Sequence, residues 1–287
     1  MRGWSGKEPL LKRIAAITSV RNDTMFLERW IAHYGAVCGP ENLHVIIDGM
    51  DQPVPAPDSG VNVIRVEYVP RSVVAGDKER ARRASALAKE LLQSVDLVIG
   101  TDVDEFLIVD PALGVSLAEY LSAINVPGSL SALGLDVVRH LGKEAPIDRA
   151  RPFLDQRRYA KISDRYTKAL ILSEPLDWGS GQHRVRGRNF RIDPNLYLLH
   201  FGSVDRAVSE ARASDADRIK EGWTAHQKRR DALFDEVRQA DPIPADERFA
   251  SARRAMTLWR SPLKWNKPGR LRSGSVVVLP ERFKGLV

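Results

Sequence analysis

The first hundred residues alternate between short apolar runs and helical spacing, and few folds satisfy that alternation. Ile14-Ala-Ala-Ile-Thr-Ser-Val20, Leu43-His-Val-Ile-Ile47, Val61-Asn-Val-Ile-Arg-Val66 and Asp96-Leu-Val-Ile-Gly100 read as strands. Between them, residues 26–37 place apolar side chains at 26, 27, 30, 31 and 34, and Gly39-Pro40 ends that helix. Residues 77–94 carry a stripe of Ala81, Ala84, Leu87, Ala88, Leu91 and Leu92, with Asp77 as the expected cap. Strands alternating with helices build a parallel sheet through right-handed crossovers. Such a sheet gathers its strand ends along one edge, where α/β proteins bind ligands. The expected class is therefore α/β, a mostly parallel central sheet with helices on both faces.

Three polar clusters follow these strands and fall on that edge: Arg21-Asn-Asp23, Asp48-Gly-Met-Asp51 and Asp102-Val-Asp-Glu105. The third is the most pointed. Leu97-Val-Ile99 reads as a buried strand, stops at Gly100 and delivers three carboxylates within four positions. Acids at the end of a buried strand are costly unless a cation neutralises them. A divalent ion with oxygen ligands, carrying phosphates as its other ligands, is the natural partner. In an extended segment Asp102 and Asp104 point to one side and can address one ion, Mg²⁺ or Mn²⁺. Glu105 is expected to support them from behind.

Beyond residue 110 the spacing predicts a helix over 115–124 and strands over 131–138, 166–172 and 196–200. Residues 205–238 read as mostly helical, broken at Asp241-Pro-Ile-Pro244. The tail 262–287 is basic, with one apolar run at 276–279.

Charge separates the halves. Residues 1–144 hold 15 Lys+Arg against 19 Asp+Glu, and residues 145–287 hold 29 against 18. A basic half facing an acidic one suits an anionic substrate, an anionic lipid surface or nucleic acid, and a solvated helical surface suits it as well. No arrangement resembles a nucleic-acid-binding motif, so nucleic acid is not an expected partner. The single cysteine, Cys38, excludes an internal disulfide and a cysteine metal cluster. No segment approaches the roughly 18 apolar residues of a membrane span. The first ten residues lack the apolar centre of a secretory signal. Cytoplasmic residence is the expectation, with peripheral contact at the inner face of the membrane. Nothing in the sequence sets an oligomeric state.

These pieces resemble a known group. Val20-Arg-Asn-Asp23, Phe26-Leu-Glu-Arg-Trp30, Ala32-His-Tyr34 and Asp102-Val-Asp-Glu-Phe-Leu107 are similar to the motifs of GT-A fold, nucleotide-sugar-dependent glycosyltransferases. The nearest pattern is the family 2-like group related to family 92. Lys168 in Tyr-Thr-Lys-Ala-Leu-Ile, His183 and Leu199-His-Phe201 follow in the family's order, so the resemblance spans residues 12–210. Asp23 departs from it, where the family usually has Glu. Asp136-Val-Val-Arg-His140 departs again, where many relatives carry an aromatic residue and a Phe-Gly pair.

The resemblance implies a catalytic unit at 1–204 and a helical, basic extension at 205–287. It implies a sugar moving from a nucleotide-diphosphate donor to a hydroxyl on a polysaccharide or glycolipid, with inversion. Asp102, Asp104 and His200 would hold the metal, with His183 as rival to His200. Arg21, Asn22, Asp23, Asp48, Lys78, Arg82, Asp102, Val103, Lys168 and His183 would line the nucleotide-sugar site. Lys78 and Arg82 share a helix face and would meet the diphosphate. Asp136 would be the base, with Glu174 and Asp177 as alternatives. Trp223, Trp259 and Trp265, amid Arg253, Arg254, Arg260, Lys264 and Lys267, are expected as core tryptophans on charged helices, with a sugar-stacking or lipid-facing patch as the other reading. A nucleotidyltransferase would use a similar sheet, two acids and a metal, but needs a Gly-rich loop after the first strand; Arg21-Asn-Asp-Thr-Met25 has no glycine. A non-catalytic polyanion binder would leave the three acids without a purpose.

Overall fold

The computed structural model describes residues 11–186, 190–260, 267–271 and 275–287. Four parallel strands form its first half: β1 (Ile14–Val20), β2 (Leu43–Asp48), β3 (Asn62–Val66) and β4 (Leu97–Gly100) lie in the order β3-β2-β1-β4. Register pairs Ala16 with Leu43 and Ala16 with Ile99. Helices α1 (Thr24–Cys38) and α2 (Val73–Leu91) provide the crossovers.

The period-two alternation of β1 decides which helix covers which face. Ile14, Ala16 and Val20 pack with Phe26, Leu27, Trp30 and Tyr34 of α1. Ala15 and Ile17 pack with Ala81, Ala84 and Ala88 of α2. The two helices thus sit on opposite faces, as the sequence predicts.

The second half adds β5 (Glu105–Val109), helix α3 (Leu117–Ala123), β6 (Ser129–Val138), β7 (Tyr159–Ile162), β8 (Ile171–Leu172) and β9 (Ile192–Ser203). Here β6 pairs antiparallel with β7 and β8, and β9 lies parallel to β6 and antiparallel to β5. Helices α4 (Arg206–Ala213), α5 (Ala216–Glu221), α6 (Thr224–Gln239) and α7 (Asp246–Leu258) follow. Strands β10 (Ile243–Pro244) and β11 (Val276–Val278) extend the sheet beyond β7. Val208, Phe249, Ala252 and Met256 join the main core, and Leu233, Phe234 and Val237 of α6 pack on Val138 and Val276. No described helix is long and apolar enough to cross a membrane.

Several expectations are corrected. Helix α2 starts at Val73, where the Ser72 hydroxyl caps it by accepting from Ala75 N, so Asp77 lies one turn inside and is free to face elsewhere. Residues 166–170 form no strand. Their backbone crosses β6 at Gly134, where a Cβ would stand 2.3 Å from the Tyr166 carbonyl carbon. The Asp102–Asp104 segment is a turn, closed by Glu105 N donating to Asp102 O at 3.0 Å, and not an extended run. Trp259 is 74% exposed at the end of α7 and is no core residue. Lys264 and Trp265 lie outside the described residues.

Candidate functional site

The acidic turn is held from α1. Trp30 Nε1 donates to the Thr101 hydroxyl at 2.9 Å, both buried. His33 Nε2 meets Leu107 O at 2.9 Å. The Tyr34 hydroxyl donates to Glu105 O and accepts from Leu107 N. The motif residues of α1 thus hold the chain on both sides of the turn, through the Thr101 side chain before it and the backbone at Glu105 and Leu107 after it. Behind the turn, Gly100 leaves room for Trp178 and Gln182, whose atoms would lie 2.7 and 2.8 Å from a Cβ there.

The three acids then diverge, each meeting a cation of the protein. Lys168, 1% exposed, sits between Asp102 Oδ2 at 2.6 Å and Glu105 Oε1 at 2.7 Å. Glu105 also accepts from Asp102 N through Oε2. Burial pushes the Glu105 carboxyl up to about 7, and the Lys168 ammonium opposes that rise. Burial would lower Lys168, but Asp102 and Glu105 outweigh it and raise the ammonium above the ordinary lysine value. Asp104 Oδ2 takes Arg212 of α4 at 2.7 Å, and the same guanidinium reaches Asp23 Oδ2 at 2.5 Å. Burial disfavours the Asp104 charge, yet Arg212 and then His200 hold its carboxyl far below the usual range.

Strand register supplies the next pair. Asp136 of β6 stands beside His200 of β9, which stands beside Glu105 of β5. His200 Nδ1 lies 2.7 Å from Asp136 Oδ1, and its Nε2 lies 3.6 Å from Asp104 Oδ2. Tyr166 stacks on the imidazole, ring centroids 3.7 Å apart.

One cavity of about 720 Å³ lies at the C-terminal ends of β1 and β4. Arg21, Asn22, Asp23, Asp48, Asp102, Val103, Asp104, Asp136, Lys168, His183 and His200 all lie on its wall. Several are engaged with the helical segment that closes it. Arg21 bonds Asp217 and Asp51 and stacks over Tyr68. Asn22, at φ 52, donates to Asp215 at 2.7 Å. Asp23 also meets Arg218. Asp48 is pushed above the usual carboxylate value by burial, with Arg83 opposing. His183 Nδ1 meets Arg165 O, and burial, followed by Lys168, lowers its imidazole to about 4.

Lys78 and Arg82 are not on this wall. The face of α2 turned inward carries Ala81 and Ala84, so positions 77 and 80 come with it and positions 78 and 82 point to solvent. Asp77 and Arg80, paired at 2.6 Å, take the place expected of Lys78 and Arg82. Arg82 is bound instead to Glu79. Glu174 and Asp177 are also off the wall, and Asp177 pairs with Lys89. Sequence reading missed Arg80, Arg212, Arg218 and Tyr166. For Arg80 the signal was available, as the helical neighbour of Asp77, Ala81 and Ala84. Nothing local distinguishes Arg212 or Arg218 from other arginines of the helical region.

Among the described residues no three His, Cys, Asp or Glu side chains form a ready metal cage. Of the expected trio, Asp104 Oδ2 is paired with Arg212, and His200 Nδ1 with Asp136, which leaves His200 Nε2 turned toward Asp104 at 3.6 Å. Asp102 differs. Its side chain is 53% exposed to the cavity and only its Oδ2 is engaged. Mg²⁺ and Mn²⁺ commonly take one or two carboxylates and complete their shell with substrate phosphates. Asp102 fits an ion of that kind, arriving on a diphosphate.

No protein-family model matches the sequence, and no curated protein matches it. Among solved structures, the chain is similar to the mannosyltransferase PcManGT from Pyrobaculum calidifontis in complex with GDP-Man and Mn²⁺, at 15% identity and a TM-score of 0.38 over 79% of this chain. The chain spans 66% of that protein's length. A mannose-1-phosphate geranyltransferase from Thermus thermophilus matches at 11% identity and TM-score 0.30, over 93% of this chain and 74% of its own. Galactosyltransferase LgtC, in complex with donor and acceptor sugar analogues, matches at 11% and 0.27, over 92% and 86%. These likenesses are distant, and the functional reading rests on the cavity.

Proposed function

We propose that the chain transfers a sugar from a nucleotide-diphosphate donor to an acceptor hydroxyl. One observation carries this reading: a half-exposed Asp102 and a buried Lys168 meet at the strand ends of a parallel sheet, and an Asp136–His200 pair lines the same cavity. The first pair suits a diphosphate, and the second suits a hydroxyl that must lose a proton.

The nucleoside lies toward Asp48 and the Arg21–Asp23 loop, where carboxylates accept from ribose or base donors. The diphosphate lies against Lys168 and Arg80, whose charges stabilise it as negative charge builds on the leaving oxygen. Asp102, together with the donor phosphates, would hold a divalent ion, Mn²⁺ or Mg²⁺, which when bound would neutralise further charge on the leaving diphosphate. Asp136 takes the acceptor proton, and His200 shares it through the 2.7 Å contact. The acceptor oxygen bonds to the anomeric carbon as its bond to the diphosphate oxygen breaks, and nucleoside diphosphate leaves. Attack opposite the leaving group inverts the centre. Residues 205–287 serve in this reading as the cap of the catalytic unit.

Calorimetry with UDP and GDP, each with and without Mn²⁺, tests the donor side. Binding of one nucleotide, strengthened by Mn²⁺ and weakened by Asp102→Asn, is the expected result. Failure of every nucleotide to bind would sink the reading, and binding indifferent to Mn²⁺ would remove its metal.

A further inference from the structure

The cations of the cavity fall into two groups. Arg21, Arg80, Lys161, Lys168, Arg212 and Arg218 each pair with a carboxylate. Arg165, Arg229 and Arg230 line the same cavity and form no ion pair with any described carboxylate. They converge. Arg229 and Arg230 lie on α6 with His226, at i+3 and i+4 from it, and Arg165 comes from the turn between β7 and β8. His226 Nδ1 is buried there without a hydrogen-bond partner. Burial, then Arg229, Arg165 and Arg230, lowers the His226 imidazole to about 4. Burial followed by Arg165 lowers Arg229, and burial followed by Arg212 lowers Arg230. Arg230 feels Asp104 and Asp136 at longer range, but none of the three arginines is neutralised by a contact ion pair with a described carboxylate, unlike the other cavity cations named above.

The position of the set matters as much as its charge. A Cβ placed on Gly202 would lie 2.8 Å from His200 Nε2 and 3.1 Å from an Arg230 guanidinium nitrogen. Through Arg230 the set therefore adjoins the Asp136–His200 pair, on the acceptor side.

We propose that Arg165, Arg229 and Arg230, with His226, bind a phosphate group carried by the acceptor. Three guanidinium forks suit the terminal oxygens of a phosphate, whereas a sugar carboxylate is filled by one bidentate arginine. The acceptor is then a phosphorylated molecule, either a soluble sugar phosphate or a lipid phosphate. The assignment rests on the donor reading above and adds the chemical class of the second substrate.

The test is calorimetry in two stages. The full chain is first saturated with whichever of UDP or GDP binds it. Pyrophosphate and glucose 1-phosphate are then titrated in, and vesicles of phosphatidylcholine with and without a lipid phosphate monoester are added in a parallel sedimentation assay. Binding of at least one phosphate probe to the nucleotide-saturated protein is expected. The double variant R165Q/R229Q should weaken it by about tenfold or more while leaving the nucleotide Kd and the melting temperature unchanged. Retention by glucose 1-phosphate points to a soluble acceptor, and sedimentation only with phosphate-bearing vesicles points to a lipid one; either supports the proposal. It is overturned if no probe binds the saturated protein, if pyrophosphate displaces the nucleotide, or if the double variant binds as the parent does. Absence of all nucleotide binding in the first stage overturns the donor reading and removes the acceptor assignment with it.

Discussion

The two walls of the cavity are built by different forces. The sheet wall, β1 to β4 with α1 and α2, is secured by apolar side chains in alternating register, Ile14 and Ala16 on one face and Ala15 and Ile17 on the other. The cap wall, α4 and α5, is secured mainly by charges, with Val208 of α4 its one residue in the main apolar core. Helix α5 buries no residue, and it is tied to the Arg21–Asp23 loop through Asp215, Asp217 and Arg218. Area burial is insensitive to salt and partner chemistry, whereas ion pairs are screened and depend on both members being charged. The sheet wall therefore sets where the site is, and the cap wall sets how firmly it is closed.

Five experiments would break or sharpen that contrast. The largest effect is expected from Asp136→Asn, which should lower transfer by about 10²- to 10⁴-fold while nucleotide binding, measured by calorimetry, stays intact. Equal loss of nucleotide affinity would mean that Asp136 belongs to the donor side. Next comes Lys168→Met. It strands Glu105, which has no exposure, beside Asp102, and breaking a buried pair in this way costs about 3–5 kcal/mol of unfolding free energy. Denaturant titration would read it as a lower midpoint at unchanged slope.

Arg212→Met should cost less, about 1–3 kcal/mol, since Arg218 and His200 remain beside its two acids. Its signature is local. Hydrogen exchange should accelerate across α4 and α5 and stay slow in β1 and β4. Uniform acceleration would show that the cap and the sheet are one cooperative unit, and the contrast would fail. A smaller effect concerns pH. Burial lowers His33, His183 and His226 from 6.5 to about 4. Between those values the unfolded chain takes up protons at these histidines that the folded chain refuses, so their contribution to stability falls as pH drops from 6.5 toward 4, while the raised Glu105 acts the other way. His33→Gln should flatten that slope in a melting series. The smallest effect belongs to Arg82→Ala, on the outer face of α2, which should leave both melting and nucleotide affinity unchanged. A weakened nucleotide complex would return Arg82 to the diphosphate.

Much of the sheet wall was legible because its signal is periodic and local. The apolar runs before Arg21, Asp48 and Asp102 announced three strand ends on one edge, and the stripe of Ala81, Ala84 and Ala88 announced the buried face of α2. Phase errors were small but consequential. Starting α2 at Asp77 instead of Val73 obscured Asp77 itself as a cavity residue, and a stripe of alanines already excluded Lys78 and Arg82 from the inner face. The segment 166–170 was read as strand from its composition, and Gly134, which lets it cross β6, carries that information 33 positions away.

What the amino-acid order determined by itself is the layered sheet, the edge where polar clusters collect, and the presence of carboxylates that require cations at the end of β4. Periodic burial follows from near neighbours, so it can be read along the chain. Which cations answer those carboxylates was decided only in three dimensions. Lys168 reaches Asp102 across 66 positions, Arg212 reaches Asp104 across 108, and the same Arg212 reaches Asp23 across 189. An ion pair has no period and leaves no local pattern, so a sequence with 44 Lys and Arg residues does not say which of them it will bury. The fold makes that choice by closing α4 and α5 over the strand ends.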